Sequence, residues 1–229
     1  MSTIASRLQA VNSRIREAAT AAGRSPDAVH LVAVSKTFPA TAVREACQAG
    51  QRAFGENYLQ EGQSKIEALS GLDLEWHFIG PIQSNKTGPI ARLFSWAHSV
   101  DRLKLAQRLS AARPTDLPPL QICIQVNVSG EQSKSGCRPD EVVGLATAAA
   151  GLPGLTLRGL MAIPEPTSDA DVQRQRFALL RQLKDDLVAR GLKLDTLSMG
   201  MSDDFEVAIA QGATMVRIGS AIFGPRSSR

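Results

Sequence analysis

Apolar residues fall along the chain in two alternating textures. Dense short runs, rich in β-branched residues, alternate with longer stretches whose apolar positions lie three or four apart. The first stretch carries Ile4, Leu8, Val11 and Ile15 at helical spacing and predicts an amphipathic helix. Strand-like runs then span residues 29–36, 53–57, 74–80, 94–100, 120–128, 155–163, 194–198 and 214–220. Helical stretches fill the gaps between them. Pro39 suits a first helical turn, while Gly50 and Gly191 suit helix ends. Asp101 and Ser168 read as N-caps, and Asp203 with Glu206 reads as a capping box.

Strands alternating with helices predict a parallel sheet of the α/β class. Eight such units predict a closed (β/α)8 TIM barrel forming a single domain over residues 1–229. The eighth helix is missing from the pattern, and the N-terminal helix is expected to take its place. Composition narrows the function. Net charge is only +4, aromatics are 4%, and no Lys/Arg block stands out, so a nucleic acid partner is not indicated. No apolar run is long enough to span a bilayer. The three cysteines, Cys47, Cys123 and Cys137, stand at wide spacings that suit neither a disulfide framework nor a zinc site. A reducing cytoplasm fits. Met1 to Thr20 contains Arg and Ser and is nearly free of acids, like a transit peptide, but its helical spacing favours a structural helix.

In such a barrel, chemistry gathers at the C-terminal ends of the strands, and phosphate often binds after strands seven and eight. Lys36 ends the first strand, beside the eighth on closure. A lysine with a dry strand behind it is pushed toward the free amine, the form that makes a Schiff base with an aldehyde. A lysine that simply snorkels into solvent is the plainer reading. After the seventh strand comes Ser198-Met199-Gly200-Met201-Ser202-Asp203, and after the eighth Gly219-Ser220. Hydroxyls, glycines and the N–H groups of a helix start make a phosphate cradle; taken singly, each is an ordinary turn. Arg217 lies inside an apolar strand, on the face of Met215 and Gly219, and needs an acceptor. Glu56 or another acid is one choice, and the ring nitrogen of a bound heterocycle is the other. Asn57, ending strand two, is a hydrogen-bond donor or a turn residue.

A lysine for an aldehyde, a phosphate cradle and an internal arginine together fit pyridoxal 5′-phosphate (PLP). Arginine keeps its proton, which would leave the pyridine nitrogen unprotonated and the ring a weaker electron sink. Candidate cofactor contacts are Lys36, Asn57, Ser198, Met199, Gly200, Ser202, Arg217, Gly219 and Ser220, with no metal and no assigned catalytic residue. His77 and His98 read as packed residues, although His77 could flank the cofactor. Asn85, Lys86 and Lys134 are either solvated or anion-holding at the mouth.

The whole chain also resembles the pyridoxal phosphate homeostasis protein family, related to the barrel domain of alanine racemase. The matching motifs are Leu31-Val32-Ala33-Val34-Ser35-Lys36, Phe54-Gly55-Glu56-Asn57, Trp76-His77-Phe78-Ile79-Gly80 with Gln83-Ser84-Asn85-Lys86, and His98-Ser99-Val100-Asp101. Beyond them lie Val126-Asn127 with Glu131, Lys134 and Gly136, then Leu197-Ser198-Met199-Gly200-Met201-Ser202-Asp203-Asp204 and Val216-Arg217-Ile218-Gly219. The resemblance implies a TIM barrel with PLP on Lys36 and its phosphate around Ser198, Gly200, Gly219 and Ser220. It also implies a role in PLP and vitamin B6 buffering or delivery, with PLP-dependent apoenzymes as transient partners. Racemisation needs a second acid/base, and the only tyrosine is Tyr58. A carrier without robust catalysis, acting as a monomer, is therefore expected. An amino-acid racemase and a Schiff-base lysine aldolase are the alternatives.

Overall fold

The computed structural model describes residues 3–131 and 135–225. Eight parallel strands close into one barrel in chain order. They are β1 (His30–Val34), β2 (Ala53–Glu56), β3 (Glu75–Phe78), β4 (Trp96–Val100), β5 (Leu120–Gln125), β6 (Leu155–Met161), β7 (Thr196–Ser198) and β8 (Met215–Ile218). Closure is made by β1, which pairs with β2 on one side and with β8 on the other, Val32 standing level with Arg217. The outer layer contains α1 (Ile4–Ala21), α2 (Ala40–Gln48), α3 (Leu59–Ala68), α4 (Thr87–Leu93), α5 (Leu103–Ala112), α6 (Val142–Ala150), α7 (Ala170–Ala189), α8 (Phe205–Ala210) and the one-turn α9 (Ser220–Phe223). The single-domain TIM barrel is as the alternating pattern predicts. Most strands are shorter than the apolar runs that announced them, because the last residues of several runs turn into the loops at the barrel mouth.

The N-terminal helix does occupy the vacant eighth position. It packs against α2, α8 and α9, burying Ile4, Leu8, Val11, Ile15 and Ala19. Thr3 caps it by accepting a hydrogen bond from the Ser6 N–H at 3.1 Å. Polar ties fix its angle. The Ile4 N–H donates to Glu45 on α2 at 3.1 Å, and Arg14 donates to Glu206 on α8 at 2.7 Å. The last tie replaces the expected capping box: Glu206 reaches α1 instead of its own helix start, and α8 begins after Asp204 without a side-chain cap. Two other caps move by one residue. Asp101 pairs with Arg102 at 2.7 Å, and Arg102 takes the position before α5. Asp169, not Ser168, caps α7, because its carboxylate accepts from the N–H groups of both Asp171 and Val172.

The main core lies between the outer wall of the barrel and the helices. A second, smaller apolar cluster fills the lower interior with Val32, Trp96, Cys123, Met161 and Met215. All three cysteines are buried and unbridged. Burial pushes the Cys123 and Cys137 thiols up to about 12, so both are inert. Among the described residues no helix is long and apolar enough to cross a membrane, and no cluster of potential metal ligands exists. Since α1 is a stave of the barrel coat, Leu8→Ala is expected to cost about 2–5 kcal/mol. A chemical denaturation midpoint unchanged from that of the unmodified chain would show that α1 is not part of the cooperative core.

Candidate functional site

A cavity of about 360 Å³ opens at the C-terminal mouth of the barrel. Its wall includes Lys36, Asn57, Ser202, Arg217, Gly219 and Ser220, so six of the nine candidate contacts meet there. Ser99 of β4, Gln125 of β5 and Ile163 just beyond β6 also line it. Val32 is level with Arg217, and Lys36 lies beyond the C-terminal end of β1 at Val34. The arginine thus lies deep and the lysine near the rim. Ser202 and Ser220 face each other across the gap between the last two loops, with their hydroxyls 3.2 Å apart. Gly219 keeps the approach narrow: a Cβ there would stand 3.1 Å from the carbonyl oxygen of Val34.

Lys36 sits in a backbone that is clamped on both sides. On one side the Ser35 hydroxyl donates to Glu56 at 2.6 Å, and Lys65 of α3 donates to the Ser35 carbonyl at 2.7 Å and to Glu56 at 2.6 Å. On the other side Thr37 adopts a left-handed φ of 69°, the sole non-glycine case among the described residues. For a β-branched residue that is a costly conformation. It is held by its N–H, which donates to Glu61 of α3 at 2.8 Å. Burial raises the Glu56 carboxyl above its usual range, while Lys65 and Ser35 oppose the shift. We assign the pair as ionised because the ammonium lies at contact distance and also bonds the Ser35 carbonyl. Glu56 therefore belongs to Lys65 outside the barrel and is not the partner of Arg217.

Arg217 is 3% exposed and points into the barrel interior. Its Nη1 donates to the Ser198 hydroxyl at 2.6 Å, and its Nη2 donates to the Ala162 carbonyl at 2.8 Å. A guanidinium carries five N–H donors, so others are left to face the cavity. Burial lowers its pKa to about 10, against the nearby Asp204 charge, and it remains cationic at neutral pH. Two polar atoms of the cavity wall, Asn57 Oδ1 and Ser99 Oγ, are buried with no hydrogen-bond partner among the described residues. Buried groups of this kind are costly unless something bonds them. They mark a wall built for a polar ligand.

Three candidate contacts lie elsewhere. Ser198 is buried under Arg217 and is not on the wall. Met199 packs into the outer core. Gly200, with a φ of 95°, makes a tight turn in which any Cβ would meet Ala208 at 2.7 Å. The loop reaches the cavity through Met201 and Ser202, while its first three residues serve the turn, the core and the arginine. His77 does not flank this cavity; it lines another of about 570 Å³ at the opposite end of the barrel. That larger cavity has no lysine on its wall and lies at the N-terminal ends of the strands, where conserved chemistry is not built in this fold. Asn85 and Lys86 lie off both walls, and Lys134 falls outside the described residues. Tyr58 is 54% exposed and is also off the cavity wall. The clamp of Glu56, Glu61 and Lys65 was missed; its sequence signal was a glutamate inside a strand next to an acid–lysine pair four apart on the following helix.

Comparison with known proteins fits this geometry. A family model described as alanine racemase, N-terminal domain, matches residues 6–227, which sets the class of the barrel. A pyridoxal phosphate homeostasis protein of Pseudomonas aeruginosa is 65% identical, covering 99% of this chain and 97% of its own length. The protein of that name from Escherichia coli K12 is 53% identical, covering 99% and 98%. The solved structure of PipY from Synechococcus elongatus with PLP bound superposes with a TM-score of 0.85 at 37% identity, covering 97% of this chain and all of that one. Alanine racemase from Corynebacterium glutamicum, at 20% identity and a TM-score of 0.70, shares the fold. The chain belongs to the pyridoxal phosphate homeostasis protein family, within the alanine racemase N-terminal domain class.

The clamp behind Lys36 yields a direct test. Lys65→Ala leaves the Glu56 carboxylate buried and unpaired and is expected to cost about 3–5 kcal/mol. Lys65→Met with Glu56→Gln should recover most of that loss in denaturant melts. Equal stability of the single and double variants would show that the pair is not coupled.

Proposed function

We propose that this chain is a single PLP-binding barrel over residues 1–229 that holds the cofactor reversibly as a Schiff base on Lys36. It serves PLP and vitamin B6 homeostasis by buffering or delivery. The observation that carries this reading is the meeting of Lys36, Arg217 and the Ser202–Ser220 pair on one small cavity. Arg217 is positioned to donate to the pyridine nitrogen, Asn57 to bond a ring substituent, and Ser202, Gly219 and Ser220 to receive the phosphate. When bound, PLP supplies an aldehyde for the amine and a conjugated ring as electron sink. The chain itself supplies the nucleophile, orientation and a partly closed wall.

Robust catalysis is not part of this reading. Moving a proton on both faces of a substrate needs two acid/base groups. Lys36 and Arg217 are the titratable residues on the described wall, and a guanidinium is no base at neutral pH. A carrier has no need of the second group. We further propose a cytoplasmic monomer that meets PLP-dependent apoenzymes transiently, in keeping with the family name and the open mouth.

Purified protein is expected to turn yellow with PLP, and borohydride should trap the cofactor on Lys36 and on no other lysine. Lys36→Ala should abolish trapping without unfolding the barrel. Trapping on a different lysine would move the site. With alanine in deuterated water, the loaded protein should exchange the Cα proton no faster than free PLP does; rapid exchange would restore the racemase reading.

A further inference from the structure

Below Arg217, a file of polar side chains runs down the barrel interior. The Ser198 hydroxyl lies 2.9 Å from His98 Nδ1, His98 Nε2 lies 2.9 Å from His77 Nδ1, and His77 Nε2 lies 2.8 Å from Glu75 Oε1. With the Arg217–Ser198 bond, four hydrogen bonds connect the site at the mouth to the cavity at the base. Glu75 is half-exposed on that basal wall, whereas Ser198, His98 and His77 are fully buried. The Trp96 ring stacks on His77 with centroids 5.4 Å apart and holds its plane.

The direction of every proton in this file follows from its lower end. Burial depresses both imidazoles, His98 well below the usual range with help from His77 and the Arg217 charge, so both rings are neutral. The hydrogen bond to His77 keeps the Glu75 carboxyl below its usual range and ionised. An ionised carboxylate only accepts, so His77 must carry its proton on Nε2. Its Nδ1 is then an acceptor, which requires His98 to be protonated on Nε2. His98 Nδ1 is likewise an acceptor, which takes the Ser198 proton. Ser198 is left presenting only lone pairs to the guanidinium. The opposite direction fails at both ends. It sets the bare Nε2 of His77 against a carboxylate, and it leaves the buried Ser198 O–H without an acceptor among the described residues.

We propose that Glu75 is a remote positioning residue for Arg217, fixing the tautomers of His77 and His98 so that Ser198 accepts from, and never competes with, the guanidinium. The proposal rests on the PLP reading only in its last link, where the positioned guanidinium meets the cofactor ring. It makes the cofactor's surroundings depend on a side chain at the far end of the barrel.

The test uses the full chain labelled with ¹⁵N-histidine. The chain has three histidines, and the third, His30, is exposed, so the rings can be assigned. In the PLP-free protein at neutral pH, long-range ¹H–¹⁵N spectra should show His77 and His98 as neutral Nε2–H tautomers. Glu75→Gln retains an acceptor and should keep them. Glu75→Lys offers His77 a donor instead and should turn both rings to Nδ1–H. On PLP titration, Glu75→Gln should behave like the parent chain. Glu75→Lys should bind PLP about 10-fold more weakly, the equivalent of one compromised hydrogen bond, with a shifted absorption band. Nδ1–H tautomers in the parent chain would overturn the proposal. So would a Glu75→Lys protein with reversed tautomers but unchanged affinity and band. Should Glu75→Lys not fold, Glu75→Leu replaces it: loss of the Nε2–H lock and weaker PLP binding support the proposal, and parent-like tautomers and affinity overturn it. If the parent chain takes up no PLP, the cofactor reading fails separately, and Ser198 and Arg217 are still judged by the tautomers of the PLP-free protein.

Discussion

Closure of the sheet is the constraint on which the rest depends. The first and last strands lie at opposite ends of the sequence, and only their pairing puts Val32 level with Arg217 and Val34 against Gly219. Lys36 and Arg217 are 181 positions apart by their numbering, yet they share one wall. An open doubly wound sheet made of the same elements would leave them on different edges. The α1 helix matters for the same reason. By covering the outside of the β8–β1 seam from α8 and α9 across to α2, it buries the one junction where the chain does not run from strand to helix to next strand.

Two polar constructions hold Lys36 and Arg217, the two residues proposed to engage the cofactor, and they lie on opposite faces of the sheet. Outside the barrel, Glu56, Glu61 and Lys65 fix the backbone on either side of Lys36, which lines the cavity. Inside, the hydrogen-bonded file fixes the side chain of Arg217. The difference suits the chemistry. A nucleophilic amine must swing to reach and release an aldehyde, so its anchor belongs in the backbone. A guanidinium that supports a ring nitrogen must hold still, so its anchor belongs on the side chain. Both constructions bury charge, which is tolerated because each charged group has a specific partner.

The strand count, the barrel and the use of α1 as the eighth helix could all be read from the sequence, because each rests on hydrophobic period, and period survives without coordinates. Lys36, Arg217 and the two late loops were legible for a related reason: barrel closure assigns strand ends to one mouth. The caps at Asp101, Ser168 and Asp203 were misread by one residue or by a competing partner, since several acids and serines compete for each helix start. Glu206 is the clearest case, because its partner Arg14 lies almost the length of the chain away. Ser198 and His98 were seen as separate residues. Their meeting depends on which layer of a closed barrel each one reaches, and the register bulges in β4–β5 and β5–β6 shift those layers beyond what simple alternation can count.

The same geometry is in keeping with the carrier role proposed above. In a racemase the second proton donor must stand across the ring from the lysine, held as firmly as the lysine itself. Among the described residues, the wall beyond Lys36 and Arg217 includes the amides, hydroxyl and apolar side chain of Asn57, Gln125, Ser99 and Ile163. These can seat a heterocycle but cannot return a proton to carbon at neutral pH. The features that weaken it as a catalyst suit it to exchange. In the proposed reading, Lys36 as a single covalent tether, the Ser202–Ser220 pair for the phosphate and an arginine fixed from below hold the aldehyde out of solution until another amine takes it up.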